Sequence, residues 1–340
     1  MSRMARICVG LVGWVGLGIS LALLIASCAQ TPREAAPNQG VRLVALPDRV
    51  RVEIAGRPFT EYFFRDVPKP YCHPLHGPQG LVMTRHWPMK EVPGEDRDHP
   101  HHRGFWYAHG SVNGVDFWTE GNNRGRIVHD EFLQIQSGPR TGLLRSRNRW
   151  VAPNGQTVCV DERTLRFYAT PDSGRVFDFE VTLLAAHGPV TFGDTKEGTL
   201  AVRLAETMRV RPNKAHAGRP PGRILTSEGH RDTEAWGKRA AWCDYSGLVE
   251  DRLVGLAIFD HPDNPRHPTW WHVRDYGLFA ANPFGRHDFE NLADAGAGNL
   301  VVPAGGRVTF RYRLYLHEGD AARARVADQY AAWIANRTQP

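Results

Sequence analysis

Val176-Phe177-Asp178-Phe179-Glu180-Val181-Thr182-Leu183-Leu184 alternates apolar and polar side chains residue by residue. Side chains on a β-strand point to opposite faces with a period of two, so Phe177, Phe179 and Val181 share one face and Asp178, Glu180 and Thr182 the other. Arg163 to Tyr168 repeats the pattern. Strand-like runs recur at 126–136, 143–151, 156–169, 176–186 and 199–210, separated by turn formers such as Pro153-Asn154-Gly155 and His187-Gly188-Pro189. Earlier in the chain Val50, Val52 and Ile54 alternate with Arg49, Arg51 and Glu53. Near its end Phe310, Tyr312, Leu314 and Leu316 alternate with Thr309, Arg311, Arg313 and Tyr315. Many regularly spaced strands without helical patterns between them predict an all-β fold, a large antiparallel β-sandwich. One helix is predicted at 320–336, capped by Asp320, with Ala322, Val326, Tyr330, Trp333 and Ile334 forming an apolar stripe that packs on the sandwich.

The chain has 340 residues and a formal net charge of +6. Its basic residues are scattered rather than gathered in a run, which argues against nucleic acid as a partner. Arg3 and Arg6 precede an apolar stretch from Ile7 to Ile25, followed by Ala26-Ser27-Cys28. That order predicts an export leader over 1–27 resembling a bacterial lipobox, with Cys28 as the lipidated first residue of the mature chain. A polar tether is expected over 28–44 and a single domain over 45–340. Ala29 follows the cysteine where aspartate would often mark inner-membrane retention, so the expected location is an exported lipoprotein, periplasm-facing or on the surface, at the outer membrane. Contact with the membrane is expected through the lipid anchor alone. Cys72, Cys159 and Cys243 are widely separated and lack C-x-x-C spacing, which disfavours a cysteine zinc site and leaves one disulfide open.

Three stretches carry more polar chemistry than a sandwich needs. Arg97 to Trp118 holds His99, His101, His102 and His109 with Asp98, Asp116, Arg97, Arg103 and aromatics including Trp106. Imidazoles and carboxylates taken out of water need partners, so this density points to a site. An extended Asp98–Gly104 segment would turn His99, His101 and Arg103 to one face and Asp98 and His102 to the other. Phe192 to Gly198 supplies Asp194, Lys196 and Glu197. Asp260 to Phe289 places Trp270, His272, Arg274 and Tyr276 on one face of a strand and carries Asn282 beyond it, a composition suited to a polyhydroxylated or anionic ligand. Each patch exceeds what its own segment can satisfy, so the three are expected to converge on one pocket.

The D-H-P-H-H-R-G, V-N-G-V-D-F-W, G-D-T-K-E-G and W-H-V-R-D-Y-G-L-F-A-A-N-P-F-G stretches resemble a bacterial family catalogued as PmoA-like, over nearly the whole mature chain. A methane monooxygenase subunit would carry several membrane spans, whereas this chain has one apolar run, so that activity is not expected. The Pro-Gly turn before a long final strand is similar to the galactose-mutarotase-like β-supersandwich. That resemblance implies a sugar ligand and a histidine acid paired with a carboxylate base. On this analogy His102 or His272 is the acid and Glu197 or Asp98 the base.

The leading expectation is therefore a carbohydrate-active enzyme working by acid–base chemistry, for which histidine suits because its ordinary pKa, about 6.5, lies near the operating pH. Substrate contacts are expected from His99, His101, Arg103, Trp106, His109, Asp116, Lys196, Arg274, Tyr276 and Asn282. No cofactor is required. The alternatives are a divalent-metal hydrolase or lyase using His99, His101 and His102, although no H-E-x-x-H spacing occurs, and a non-catalytic sugar-binding lipoprotein.

Overall fold

The structure, a computed structural model, describes residues 40–335. Residues 1–27, Cys28, the tether up to residue 39 and residue 336 lie outside the described residues. Among the described residues two eight-stranded antiparallel sheets face one another. In spatial order the first consists of Val41–Ala45, Arg49–Ile54, Arg57–Phe63, Tyr71–Cys72, Phe105–His109, Gly198–Arg203, Leu278–Asn282 and Trp270–Val273. The second runs Arg223–Thr226, Trp242–Val249, Arg252–Asp260, Arg307–Glu318, Gly174–Leu184, Thr157–Tyr168, Thr141–Val151 and Arg126–Gln136. The all-β sandwich read from the alternation is thus the observed architecture.

The core lies between the sheets. Phe105 of the first sheet meets Phe177 and Phe179 of the second with ring centroids 5.3 and 5.4 Å apart, and Tyr107 reaches Phe179 at 5.7 Å. These are edge-on or tilted aromatic contacts that add to the burial of large rings. The polar residues of Gly174–Leu184 face outward, where Asp178 and Glu180 pair with Arg313 and Arg311 of the neighbouring strand. One charged pair is buried in the core itself. Asp161 accepts bonds from Arg163, Trp150 Nε1 and Asn148, so its charge is fully compensated.

Four differences from the sequence reading have local causes. Val41–Ala45 is a strand paired with Arg49–Ile54, so the tether does not extend to residue 44; Val41 and Leu43 are buried against the core. The run expected over 199–210 stops at Arg203 and becomes a short 3-10 turn at Glu206–Met208. The final helix is regular over Val326–Ala335. Asp320 Oδ1 accepts the Arg323 N–H, but the chain passes through a left-handed residue at Arg325 (φ 53°), and the α-helix begins beyond it. Cys72, Cys159 and Cys243 are free, buried thiols; burial pushes Cys159 up to about 12. No helix among the described residues is long and apolar enough to cross a membrane.

Candidate functional site

The outer face of the first sheet carries the three patches. Register pairs Tyr71 with Trp106, Trp106 with Ala201, Ala201 with Ala280, and Ala280 with His272, forming one cross-strand row on that face. Arg203, two residues from Ala201, and Asn282, two from Ala280, share it. His109 stands on the core side opposite Gly198, its Nε2 2.7 Å from the Gly193 carbonyl oxygen and its ring against Phe284. Burial lowers it to about 4.

The Asp98–His102 segment is a turn rather than an extended strand. Pro100 has a fixed φ and no N–H to pair, and the His102 N–H closes onto the His99 carbonyl at 3.0 Å. His99 adopts φ 42°, an uncommon conformation for a residue with a Cβ. Arg85 holds it there: Nη2 donates to the carbonyls of Asp98 and His99 at 3.0 and 3.2 Å, and Nη1 pairs with the Asp98 carboxylate. The turn therefore gathers the imidazoles that an extended chain would have divided.

Those rings build a column. Tyr276 stacks on His99 (5.2 Å between centroids, 10° between planes), His99 on His102 (4.7 Å, 12°), and His102 on Trp106 (5.2 Å, 23°). His101 meets His102 edge-on at 4.5 Å. Arg203 Nη1 lies 3.3 Å from His102 Nδ1. A guanidinium can only donate, so Nδ1 accepts, and the ring proton of neutral His102 is assigned to Nε2. Burial first, then the charge of Arg203, holds His102 well below its ordinary pKa. Lone pairs of stacked rings run in parallel planes, so His99 and His102 offer no common point to an ion. Among the described residues no three His, Cys, Asp or Glu side chains are arranged to hold a metal.

Beneath the column lies a buried ionic frame. The side chains of Arg85 and Arg203 are fully buried and that of Arg209 nearly so. They are matched by Asp96, Asp98 and Glu206, with Arg209 paired to Asp96 and Glu206. Burial raises the Asp98 carboxyl, but His99, Arg203 and Arg85 together hold it well below the carboxylate range. Asp98 is thus a fixed anion. Lys69, also buried, donates to the Trp118 carbonyl (2.8 Å) and Glu120 (2.9 Å), and Arg103 grips Glu120 with two nitrogens.

The Thr195–Glu197 bend approaches from another direction. Asn282 Nδ2 donates to the carbonyls of Thr195 and Lys196 at 2.9 and 3.0 Å, and His272 Nδ1 lies 2.5 Å from the latter. Burial lowers His272 to about 3, which keeps it neutral as it braces this bend. Lys196 Nζ donates to Glu197 Oε1 at 2.7 Å; the Glu197 side chain is 35% exposed. The Glu197 charge reaches both His101 and Tyr276. Burial, then Lys69 and His99, lowers His101 to about 4, against the opposing pull of Glu120 and Glu197. His101 is half-buried, and its ring nitrogens make no hydrogen bond among the described residues.

The first and third patches meet where Tyr276 stacks on His99, and the second and third where Asn282 and His272 hold the Thr195 and Lys196 carbonyls. Two expected ligands, His109 on the core side and Asp116, are engaged elsewhere, as is Asp194 of the second patch. Asp116 accepts the N–H groups of Trp118 and Thr119, and Asp194 accepts those of His287 and Gly298. Arg85, Arg203, Glu206, Lys69, Glu120 and Trp236 belong to the site or its frame without having stood out as members of it. A lone arginine closing the strand Gly198–Arg203 was the available signal for the frame.

A family model described as a family of unknown function, DUF6807, matches residues 49–331. No curated protein matches the chain. Similar solved structures include an aldose epimerase homologue from C. elegans, with 8% identity over 82% of this chain and 99% of that one, at a TM-score of 0.31. A galactose mutarotase related enzyme from Lactobacillus acidophilus is 9% identical over 82% and 97%, at 0.30. A Glycoside Hydrolase Family 97 enzyme from Pseudoalteromonas sp. strain K8, in complex with acarbose, is 11% identical over 82% of this chain and 34% of its own, at 0.31. Likeness at these scores carries no conclusion about chemistry, and the fold rests on the strand order itself. None of these matches bears the PmoA label.

Proposed function

The chain belongs to the family of unknown function DUF6807, and we propose that it is an exported, lipid-anchored protein that binds a sugar or glycoside and performs acid–base chemistry on it. The carrying observations are Glu197, a partly exposed carboxylate held by Lys196, and His101, a neutral imidazole free of protein hydrogen bonds that stands edge-on to a column of aromatic planes. Glu197 takes a proton from a sugar hydroxyl. His101 supplies an N–H to the oxygen on which negative charge develops, the role a neutral imidazole fills when its pKa is depressed. Asp98, His102 and Arg203 fix the column, and His272 with Asn282 fixes the carboxylate. This moves His272 and Asp98 from candidate acid and base to positioning residues. The geometry favours His101 over the more deeply buried His102 as the group that meets substrate.

A screen of mono- and oligosaccharides tests the reading, with turnover followed by NMR for the wild type and Glu197→Gln. Turnover that falls on the order of 10²-fold or more in the variant supports it. Binding without turnover in the wild type would leave a sugar-binding lipoprotein instead. Mass spectrometry of the mature N-terminus tests the address: a lipidated Cys28 is expected, and an intact Met1 would contradict it.

A further inference from the structure

Arg274 opens the turn after Trp270–Val273, and its guanidinium has no counter-charge. Its central carbon lies 5.7 Å from the ring centroids of both Trp236 and Tyr276. Among the described residues no carboxylate is within ion-pair distance of it, and its side chain makes no hydrogen bond. The charges on the adjoining residues are matched elsewhere. Asp275 pairs with Arg211 at 3.4 Å, Lys196 with Glu197, and Arg203 with Asp98 and Glu206. Arg274 also lines a cavity of about 180 Å³ with Thr233, Trp236, Val273 and Asp275. Trp236 Nε1 is buried there without a partner. Tyr276, whose ring Arg274 also faces, stacks on His99 of the imidazole column.

A guanidinium held between two aromatic faces keeps its fork of donors in a fixed plane, and that fork matches a carboxylate bidentately. An unpaired cation of this kind, half-buried between two aromatic rings of which one stacks on the imidazole column, is an arrangement that a neutral sugar would leave uncompensated. We propose that Arg274 is an anion subsite and that the substrate is a sugar bearing a carboxylate, a uronic acid residue. This inference rests on the sugar-binding reading above and narrows it to one substrate class.

Isothermal titration of the mature protein with matched pairs, galactose against galacturonate and glucose against glucuronate, tests it, with glucose 6-sulfate as a second anion. The uronates should bind at least about tenfold more tightly than their neutral partners, the scale of one charge-assisted contact. Arg274→Ala should remove that preference while changing neutral-sugar affinity less than about twofold, and Arg274→Lys should restore part of it. Circular dichroism of each variant confirms the fold. Equal affinity for neutral sugars and uronates, an equal loss for both in Arg274→Ala, or binding of the sulfate ester without the uronates would overturn the proposal. Failure to bind any saccharide would instead overturn the sugar reading beneath it, and this inference with it.

Discussion

Asp98 and Glu197 are two carboxylates of one site with different bonding, and that difference assigns their work. Asp98 is tied to two buried guanidiniums and stays an anion whatever the substrate does, whereas Glu197 is held by the single, partly exposed Lys196. Glu197→Gln should therefore lower kcat by about 10²- to 10⁴-fold. Its unfolding free energy should stay within about 0.5 kcal/mol of the wild type, as for other exposed substitutions. A matching loss of stability would make Glu197 a structural residue. The histidine-rich stretch was legible because buried imidazoles demand partners. Arg85 and Arg203 were not, because a lone arginine at the end of an apolar strand reads as a surface residue. The partner that shows otherwise, Asp98, lies 105 residues away from Arg203.

Strands were legible wherever one face is wet, as in Gly174–Leu184 and Arg307–Glu318, because burial then alternates with the pleat. Connections were not. Turning Asp98–His102 back on itself depends on Arg85 holding two carbonyls, which no local pattern encodes. The Thr195–Glu197 bend likewise takes its shape from Asn282 and His272, on strands distant in sequence. Asn282→Ala would leave the Thr195 carbonyl without its donor and the Lys196 carbonyl with only His272 and the Gly198 N–H. The expected result is a fall in kcat of about tenfold to a hundredfold through misplacement of Glu197, with sugar Kd nearly unchanged. Asn282→Asp, which keeps the shape but cannot donate, should behave the same way. An unchanged kcat in both would detach the bend from catalysis.

At the scale of the whole molecule, burial pushes the pKa of five imidazoles of the described residues far down and those of His86 and His129 down less. Burial lowers His73 and His272 to about 3 and His101 and His109 to about 4, and holds His102 well below its ordinary value. Between pH 6.5 and those values the unfolded chain binds protons that the folded chain refuses. The stabilisation is therefore complete above about pH 6.5 and lost as pH falls, by up to about 1.4 kcal/mol per pH unit for each proton. Thermal scans should show Tm dropping steadily from pH 7 to 4.5; a flat profile would mean that these rings are protonated or exposed in the folded state. The outer face of the second sheet holds a larger cavity of about 440 Å³, lined by Arg145, Arg166, Glu180 and Trp333. The two sheets therefore offer rival places for a ligand. A crystal structure of the protein with a bound saccharide separates them most directly. The account predicts sugar oxygens within about 2.6–3.2 Å of Glu197 and the His101 ring, on the outer face of the first sheet. A sugar seated beside Trp333 on the second sheet, with Glu197 and His101 untouched, would contradict it.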